Sequence, residues 1–500
     1  MSGALADRLA QYVMNIMLRS VTWDAELRRG RITLSSLRYQ VGETEEILSV
    51  INEILNEIEG AESAAKIDII RSFSDRYQHN GEIRNLCEAL AAAAFEPMAE
   101  FVIKVMLEGL VDDFYEEFFV VETSDGELQL TEEGKIPSFF LPIADSILQC
   151  GLNASILGRL GVRLDPSLVE SSSNLMESHY ATQTVKQVLI HSNSVLLAEA
   201  NKGNRLQNSL SWISQVFFIA KSDWFSDFVA SAEGELEKPV KAISRVKMNE
   251  WLHSATKNQS INIDYHTFQL DQLNVQVPAN DENMLGIRAV TIDTKFEFPL
   301  TLVFTSGILF KLQCIFRHLF YCKCVDLRLS HLWLEFQSVR KLEGGSLLPS
   351  NLLLQEMTHF VKNYLFYLSV DVIEAKMVSL TTKAESIFLF SHSFDSMLSE
   401  IVGEFDLTTP VFRQLTKILS TCALFSSHIR RFLALQPLGE SLADVTRQER
   451  YISMFEKFRD AFQGQMNSLM VQLKSNRRTN SSNLIARLDF NEYFSEVMGI

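Results

Sequence analysis

The chain has 500 residues and a mass of 56.9 kDa, which is long for one domain and predicts two or more packed modules. Its hydrophobic fraction of 47% and charged fraction of 22% are those of a globular protein and exclude a wholly disordered chain. The 21 glycines and 10 prolines are about half the usual share of these turn formers. Hairpins should therefore be few, which favours long helices over a sandwich or barrel.

Negative charge is concentrated in the first third of the chain. The net charge is −16, and residues 1–165 contain 28 acidic and 14 basic side chains, whereas residues 166–500 are nearly balanced. No nucleic-acid partner is expected, because nucleic-acid binding needs a basic face. Apolar runs such as residues 299–310 are shorter than the ~20 residues that a membrane helix requires, so no membrane span is expected.

The six cysteines are too sparse for a disulfide scaffold, and Asp7 and Arg8 interrupt the place of a signal-peptide apolar region. We therefore expect an intracellular, soluble protein with reduced thiols.

Helical spacing of apolar residues recurs along most of the chain. In residues 47–58 the apolar residues lie on one face of the predicted helix and glutamates on the opposite face. In residues 89–122 Pro97 should begin a new helix or kink the existing one. The segment 171–178 is a linker candidate, and residues 291–300 alternate as in a short strand. Further expected elements are helices within 180–275, a helix of about thirty residues from Gly307, a turn at 341–350, helices at 351–377, 386–404 and 410–434, a polar loop at 474–482, and a final helix. The fold class is all-α, with at most a short strand or two, in two halves.

Motifs that carry catalytic or cofactor chemistry are missing from the sequence. It contains no phosphate-binding GxxxxGK[ST], no GxGxxG after a strand, no GxSxG and no HExxH. Cys322 and Cys324 lack a second pair at metal spacing, and a packed core explains them better. The acidic residues around Asp112 and Asp113 lack the glycine turn of a calcium loop, so a solvated helix end is preferred. We expect no enzyme activity, no cofactor and no metal.

Residues 308–336, ILFKLQCIFRHLFYCKCVDLRLSHLWLEF, have apolar side chains on two helical stripes. Two stripes indicate burial on more than one side, and the charged residues between them are mainly basic. Two interpretations stay open at this point. The segment is either the centre of a bundle or partly a partner-binding surface.

The same region carries a family resemblance. Residues 298–333, FPLTLVFTSGILFKLQCIFRHLFYCKCVDLRLSHLW, resemble the start of the C-terminal block of gamma-tubulin complex proteins, and FRHLFYCK is most similar to the component 2 branch. Other matching blocks follow the family's order and lie at residues 95–122, 134–161, 221–240, 352–377, 390–429 and 484–494.

The resemblance implies an elongated stack of helical bundles in two functional halves. Residues 1–203 would make lateral contacts with related complex proteins of the component 3 type, and residues 204–500 would bind gamma-tubulin. Compared with the family, the first bundle is expected to be shortened at its start. The implied function is a non-enzymatic scaffold for microtubule nucleation in the cytoplasm, at microtubule-organising centres, spindle poles and centrosomes. The alternative is a generic helical tethering or trafficking subunit.

Candidate partner-binding residues follow from the matched blocks. Because tubulins are acidic, basic side chains in FRHLFYCK and the next helix are favoured contacts. The candidates are Arg317, His318, Lys323, Arg328, His359, Asn363 and Tyr367.

Overall fold

The structure is a computed structural model, and most of the chain is described. The described residues are 2–115, 117–123, 126, 128–131, 135–169, 173–221, 223–258, 274–276, 285–340, 348–380, 386–405, 410–434, 449–475 and 479–489.

Helices dominate the described residues, as the composition predicts, so the all-α fold class is confirmed. The α-helices are α1 Ser2–Arg28, α2 Leu34–Ile58, α3 Ser63–Arg76, α4 Gly81–Glu108, α5 Ala144–Arg159, α6 Ser178–Ala200, α7 Arg205–Val216, α8 Asp223–Leu236, α9 Arg245–Asn258, α10 Gly286–Ala289, α11 Ser306–Arg340, α12 Leu348–Phe366, α13 Ala375–Leu380, α14 Ile387–Glu404, α15 Pro410–Ala434, α16 Glu449–Ser475 and α17 Thr479–Leu488. A π-helical segment, Tyr367–Glu374, joins α12 to α13.

Within the described ranges, short strands form two antiparallel pairs. Strands β1 Val120–Glu122 and β2 Leu128–Leu130 pair, with Val120 opposite Leu130. Strands β3 Asn274–Gln276 and β4 Thr291–Asp293 pair, with Val275 opposite Ile292. The strand predicted within 291–300 is therefore confirmed over its first three residues.

The chain separates into two compact units, residues 1–199 and 200–500, which we call unit 1 and unit 2. The division of function predicted for the two halves stays a prediction.

Helix α4 is the centre of unit 1, because α1, α3 and α5 all pack against it. Its side chains are buried on several faces, including Phe95, Met98 and Val102. Asn80 caps its start by accepting a hydrogen bond from the Ile83 amide. The helix continues through Pro97, so of the two alternatives the new helix is wrong and the kink stays a prediction.

Gly109 ends α4 in the left-handed conformation, with φ of 67°, and lies directly against α5. A β-carbon there would clash with the backbone nitrogen of Ser155 and lie 2.6 Å from its Cα. We expect Gly109→Ala to lower the free energy of unfolding of unit 1 by about 2–5 kcal/mol, combining left-handed strain with overpacking.

Gly60 is the matched control for Gly109. It has a φ of 82°, but a β-carbon added at this residue would have no other atom within 4 Å. Gly60→Ala should therefore lower the free energy of unfolding by only about 1–2 kcal/mol, because alanine is strained in the left-handed conformation. Chemical denaturation measures both variants, and equal losses would contradict the proposed close approach of α4 and α5.

Helix α11 is the centre of unit 2 and packs against α12, α14 and α15. Phe316 and Phe320 lie in an aromatic cluster with Phe217, Phe225 and Phe228. Polar contacts join the surrounding helices to α11. Lys311 Nζ donates to Asp395 of α14 at 2.6 Å.

Three segments that the sequence predicts as a turn, a loop and a linker contain helical residues in the structure. Residues 348–350 of the predicted turn begin α12, and its earlier residues lie outside the described part. Helix α17 begins at Thr479, inside the predicted polar loop, while residues 476–478 lie outside the described part. The linker candidate contains a 3₁₀ turn, Ser173–Met176, whose Leu175 is fully buried. Polar composition misled the prediction because serine and asparagine are favoured at helix starts and proline in the first helical turn.

Candidate functional site: the outer face of helix 12

Both apolar stripes of α11 are directed into the core of unit 2. Leu312, Leu319 and Val325 represent one stripe, Phe316 and Phe320 the other, and all are buried. The bundle-centre interpretation of residues 308–336 therefore holds for the two stripes, while Phe310, Trp333 and Leu334 of the same helix are exposed.

His318 lies inside the core rather than on a surface. Its side chain is 6% exposed, and its Nε2 lies 2.7 Å from the Tyr364 hydroxyl of α12. Phe405 and Phe412 also pack against the ring. Its position on α11 points to α12 and not to solvent, and its contact with a partner stays a prediction.

Burial lowers the pKa of His318 from its ordinary 6.5 to about 3. The folded protein keeps this ring neutral, whereas the unfolded chain takes up a proton below pH 6.5. Stability should therefore be complete above pH 6.5 and fall as the pH drops toward 3. As the pH falls from about 7 to about 5, protonation of His318 in the unfolded chain should lower the free energy of unfolding by about 2 kcal/mol.

The variant His318→Gln tests this pH dependence, because glutamine does not titrate. Denaturation at about pH 7 and pH 5 gives the decrease in the free energy of unfolding between these two pH values. This decrease should be about 2 kcal/mol smaller in His318→Gln than in the parent chain. Identical pH dependence in parent and His318→Gln would contradict the assignment.

Two of the three basic candidates on α11, Lys323 and Arg328, make polar contacts within unit 2. Lys323 Nζ donates to the carbonyl of Ile219, and burial lowers the pKa of Lys323. Arg328 pairs with Glu237 at 3.1 Å, just after the end of α8. Arg317 is half-buried. These contacts give Lys323 and Arg328 a structural role inside unit 2. The contact of all three basic residues with a partner stays a prediction.

Helix α12 exposes a continuous face instead. Leu352, His359 and Phe366 recur every seven residues and are exposed, which places them in line along the helix. Lys362 is exposed beside that line, and Val370 extends it into the π-helical segment. We call Leu352, His359, Lys362, Phe366 and Val370 the α12 outer face.

Two further candidates lie on α12 or directly after it. Asn363 is half-buried, and its Nδ2 lies 3.0 Å from His359 Nε2, so it orients that ring. Tyr367 is only 3% exposed. Its side chain lies in the core next to the outer face, and its contact with a partner stays a prediction.

The C-terminal helix fixes one end of the α12 outer face. Arg487 of α17 donates to both carboxylate oxygens of Asp371, at 2.8 and 3.0 Å. The same guanidinium lies 4.6 Å from the centre of the Phe366 ring. Asp371 belongs to the π-helical segment, a geometry often found at functional sites. The face is thus held by two elements that lie far apart in sequence.

Most of this face was missed from the sequence. Of its five residues, only His359 was a candidate. The signal that identifies the others is the seven-residue spacing of Leu352, His359 and Phe366, which a search for basic residues overlooks. The contact of Arg487 with Phe366 has no local sequence signal.

Neither a metal-ligand cluster nor a membrane-spanning helix is found in the described part of the chain. No group of three or more His, Cys, Asp or Glu side chains there is arranged to hold a metal ion. Among the same residues, no helix combines the length and apolarity needed to cross a bilayer.

Known protein families match both units. The family described as gamma tubulin complex component N-terminal matches residues 1–258, and gamma tubulin complex component C-terminal matches residues 206–494. The chain belongs to the gamma-tubulin complex component family. The second match covers α11, α12 and α17, which together build and support the α12 outer face.

Curated relatives agree with the family. Mouse gamma-tubulin complex component 2 is 23% identical over 495 residues, covering 89% of this chain and 54% of the relative. Arabidopsis thaliana component 2 is 21% identical, and the match covers 89% of this chain and 71% of the relative. The Drosophila melanogaster component 2 homolog is 20% identical, and the match covers 99% of this chain and 66% of the relative. The predicted similarity to the component 2 branch is confirmed. The chain spans about half the length of the mouse relative.

Proposed function

We propose that this chain is a non-enzymatic scaffold that binds one gamma-tubulin molecule through unit 2 and associates side by side with related complex subunits through unit 1. The observation that carries the proposal is the ordered pair of family matches over residues 1–258 and 206–494. Both matched families are described as gamma-tubulin complex components, and neither description names a tether or a trafficking factor.

The physical task of such a scaffold is to lower the entropic cost of microtubule nucleation. Several tubulins must lose translational and rotational freedom together before a lattice can grow. A row of scaffolds that holds gamma-tubulins in place makes the later additions effectively intramolecular. This function requires a rigid binding surface, and no bond-making chemistry by the scaffold. It also accounts for the proposed location at microtubule-organising centres and spindle poles, which agrees with relatives named as spindle pole body components.

The α12 outer face is the proposed contact for gamma-tubulin. It combines exposed apolar side chains, Leu352 and Phe366, with the polar side chains of His359 and Lys362. Aromatic and apolar anchors with a polar surround are typical of protein interfaces. The contact between Arg487 and Phe366 preorganises the face, which reduces the ordering cost on binding.

Unit 1 offers a separate apolar surface for the proposed lateral contact. Val13, Met17 and Val21 recur at four-residue spacing on α1, with Met14 and Leu18 beside them, and all are exposed. Exposed apolar patches of this kind mark interaction sites, and methionine adapts readily to a partner's shape. A component 3 type subunit is the proposed neighbour.

Hydrogen–deuterium exchange on the full chain tests this division of roles. With gamma-tubulin added, we expect slower exchange in peptides covering residues 348–374 and unchanged exchange in α1. With a component 3 type subunit added, we expect the reverse pattern. Protection of α1 by gamma-tubulin, with none in unit 2, would contradict the proposal.

A further inference from the structure

Helix α2 exposes a second apolar line that the proposed function does not use. Leu34, Val41, Leu48 and Leu55 recur every seven residues and are between 43% and 78% exposed. We call these four residues the α2 apolar line. It extends for about 32 Å along the helix axis at about 1.5 Å per residue.

The α2 apolar line borders the core of unit 1. Ile51 and Ile58 lie three residues after Leu48 and Leu55, at neighbouring helix positions, and are buried. On the other side of the line, Ser49 and Asn56 are small and exposed. A seven-residue apolar repeat is the pattern that receives a second helix, because each side chain can enter a hole on a helical partner.

The charge beside the line has one sign over most of its length. Residues 39–62 contain seven glutamates and no lysine or arginine. Glu45 and Glu59 lie four residues after Val41 and Leu55, flank the line, and are exposed. Only Arg38, near the start of the helix, is basic. In helix pairs, such flanking charges decide which partner is accepted.

We propose that the α2 apolar line is a docking site for a basic amphipathic helix of three or more heptads. The apolar residues of that helix would pack against Val41, Leu48 and Leu55 at the same seven-residue spacing. Its lysines or arginines would lie beside Glu45 and Glu59. A second copy of this chain fits less well, because antiparallel pairing of Val41 with Leu48 brings Glu45 of both copies together. This site differs from the α12 outer face in unit 2 and from the apolar patch of α1.

The probe is a designed peptide of four heptads with leucine at the heptad core positions and lysine at the flanking positions. An acidic twin carries glutamate at those flanking positions, and a scrambled basic peptide keeps the composition without the repeat. Binding to the full chain is measured by fluorescence anisotropy at physiological ionic strength. The basic heptad peptide should bind about 10-fold or more tightly than either control peptide.

Variants of the full chain locate the site. Leu48→Glu should weaken binding of the basic peptide by about 10-fold or more, because a charge then lies in the apolar contact. Ile190→Glu changes another exposed apolar residue of unit 1, on α6, and should leave binding unchanged. Glu45→Lys with Glu59→Lys should shift the preference toward the acidic peptide. Circular dichroism confirms that each variant retains the parent's helix content.

Several outcomes would overturn the proposal. Equal binding of the basic and scrambled peptides would reduce the effect to general attraction by an acidic protein. Normal peptide binding by Leu48→Glu would remove the α2 apolar line as the site. If sedimentation shows self-association or association with a component 3 type subunit that Leu48→Glu abolishes, the line belongs to that contact instead.

Discussion

Replacing Leu352 and His359 with glutamate should weaken gamma-tubulin binding by about 10-fold or more, while leaving the fold of unit 2 intact. Both side chains lie on the α12 outer face and are exposed, so the free protein tolerates the new charges. In a complex those charges would be removed from water without partners, which is costly. The double variant leaves the contact between Arg487 and Phe366 unchanged, so the preorganised end of the face is retained.

The matched control is Leu389→Glu with His392→Glu on α14. Leu389 is 50% exposed, against 54% for Leu352, and His392 is exposed like His359. The control adds the same two charges to unit 2 and should bind gamma-tubulin like the parent chain. Thermal denaturation verifies folding of both variants, and affinity is measured by sedimentation. If the control loses binding and the α12 variant keeps it, the contact belongs to α14.

Truncation of Phe320 to alanine should produce the largest loss of stability, about 3–5 kcal/mol. The ring is fully buried at the centre of unit 2, with its centroid 5.4 Å from Phe225 and 5.5 Å from Phe316. Removing it eliminates apolar burial and leaves a cavity that the surrounding rings fill only partly.

Phe310 provides the comparison on the same helix. Its side chain is 67% exposed, so Phe310→Ala should change the free energy of unfolding by less than about 0.5 kcal/mol. Urea denaturation of both variants measures the difference. Similar losses of stability in the two variants would contradict the burial of Phe320 at the centre of unit 2.

Helical periodicity predicted much of the fold because it reports burial directly. The spacing from Ile47 to Ile58 identified the buried face of α2, and the two stripes of residues 308–336 identified α11 as a bundle centre. Helix ends were harder to predict. Residues 348–350 and Thr479 lie inside helices although their surroundings are polar or rich in turn formers.

The candidate site was less predictable than the fold. A basic residue within a matched block is equally compatible with a partner contact and with a contact inside the protein. Lys323 and Arg328 have hydrogen-bond or ion-pair partners inside unit 2, and the buried His318 contacts the Tyr364 hydroxyl. Only tertiary packing separates these cases. The pairing of Arg487 with Asp371 joins residues 116 positions apart and has no local signature.

Sedimentation velocity of the purified full chain mixed with gamma-tubulin tests most directly whether unit 2 captures gamma-tubulin. We predict a saturable complex containing one gamma-tubulin per chain. The complex should be lost in the Leu352→Glu, His359→Glu variant and retained in the Leu389→Glu, His392→Glu variant. A correctly folded chain that forms no complex with gamma-tubulin, even at about 10 µM of each protein where weak specific interfaces are occupied, would contradict it.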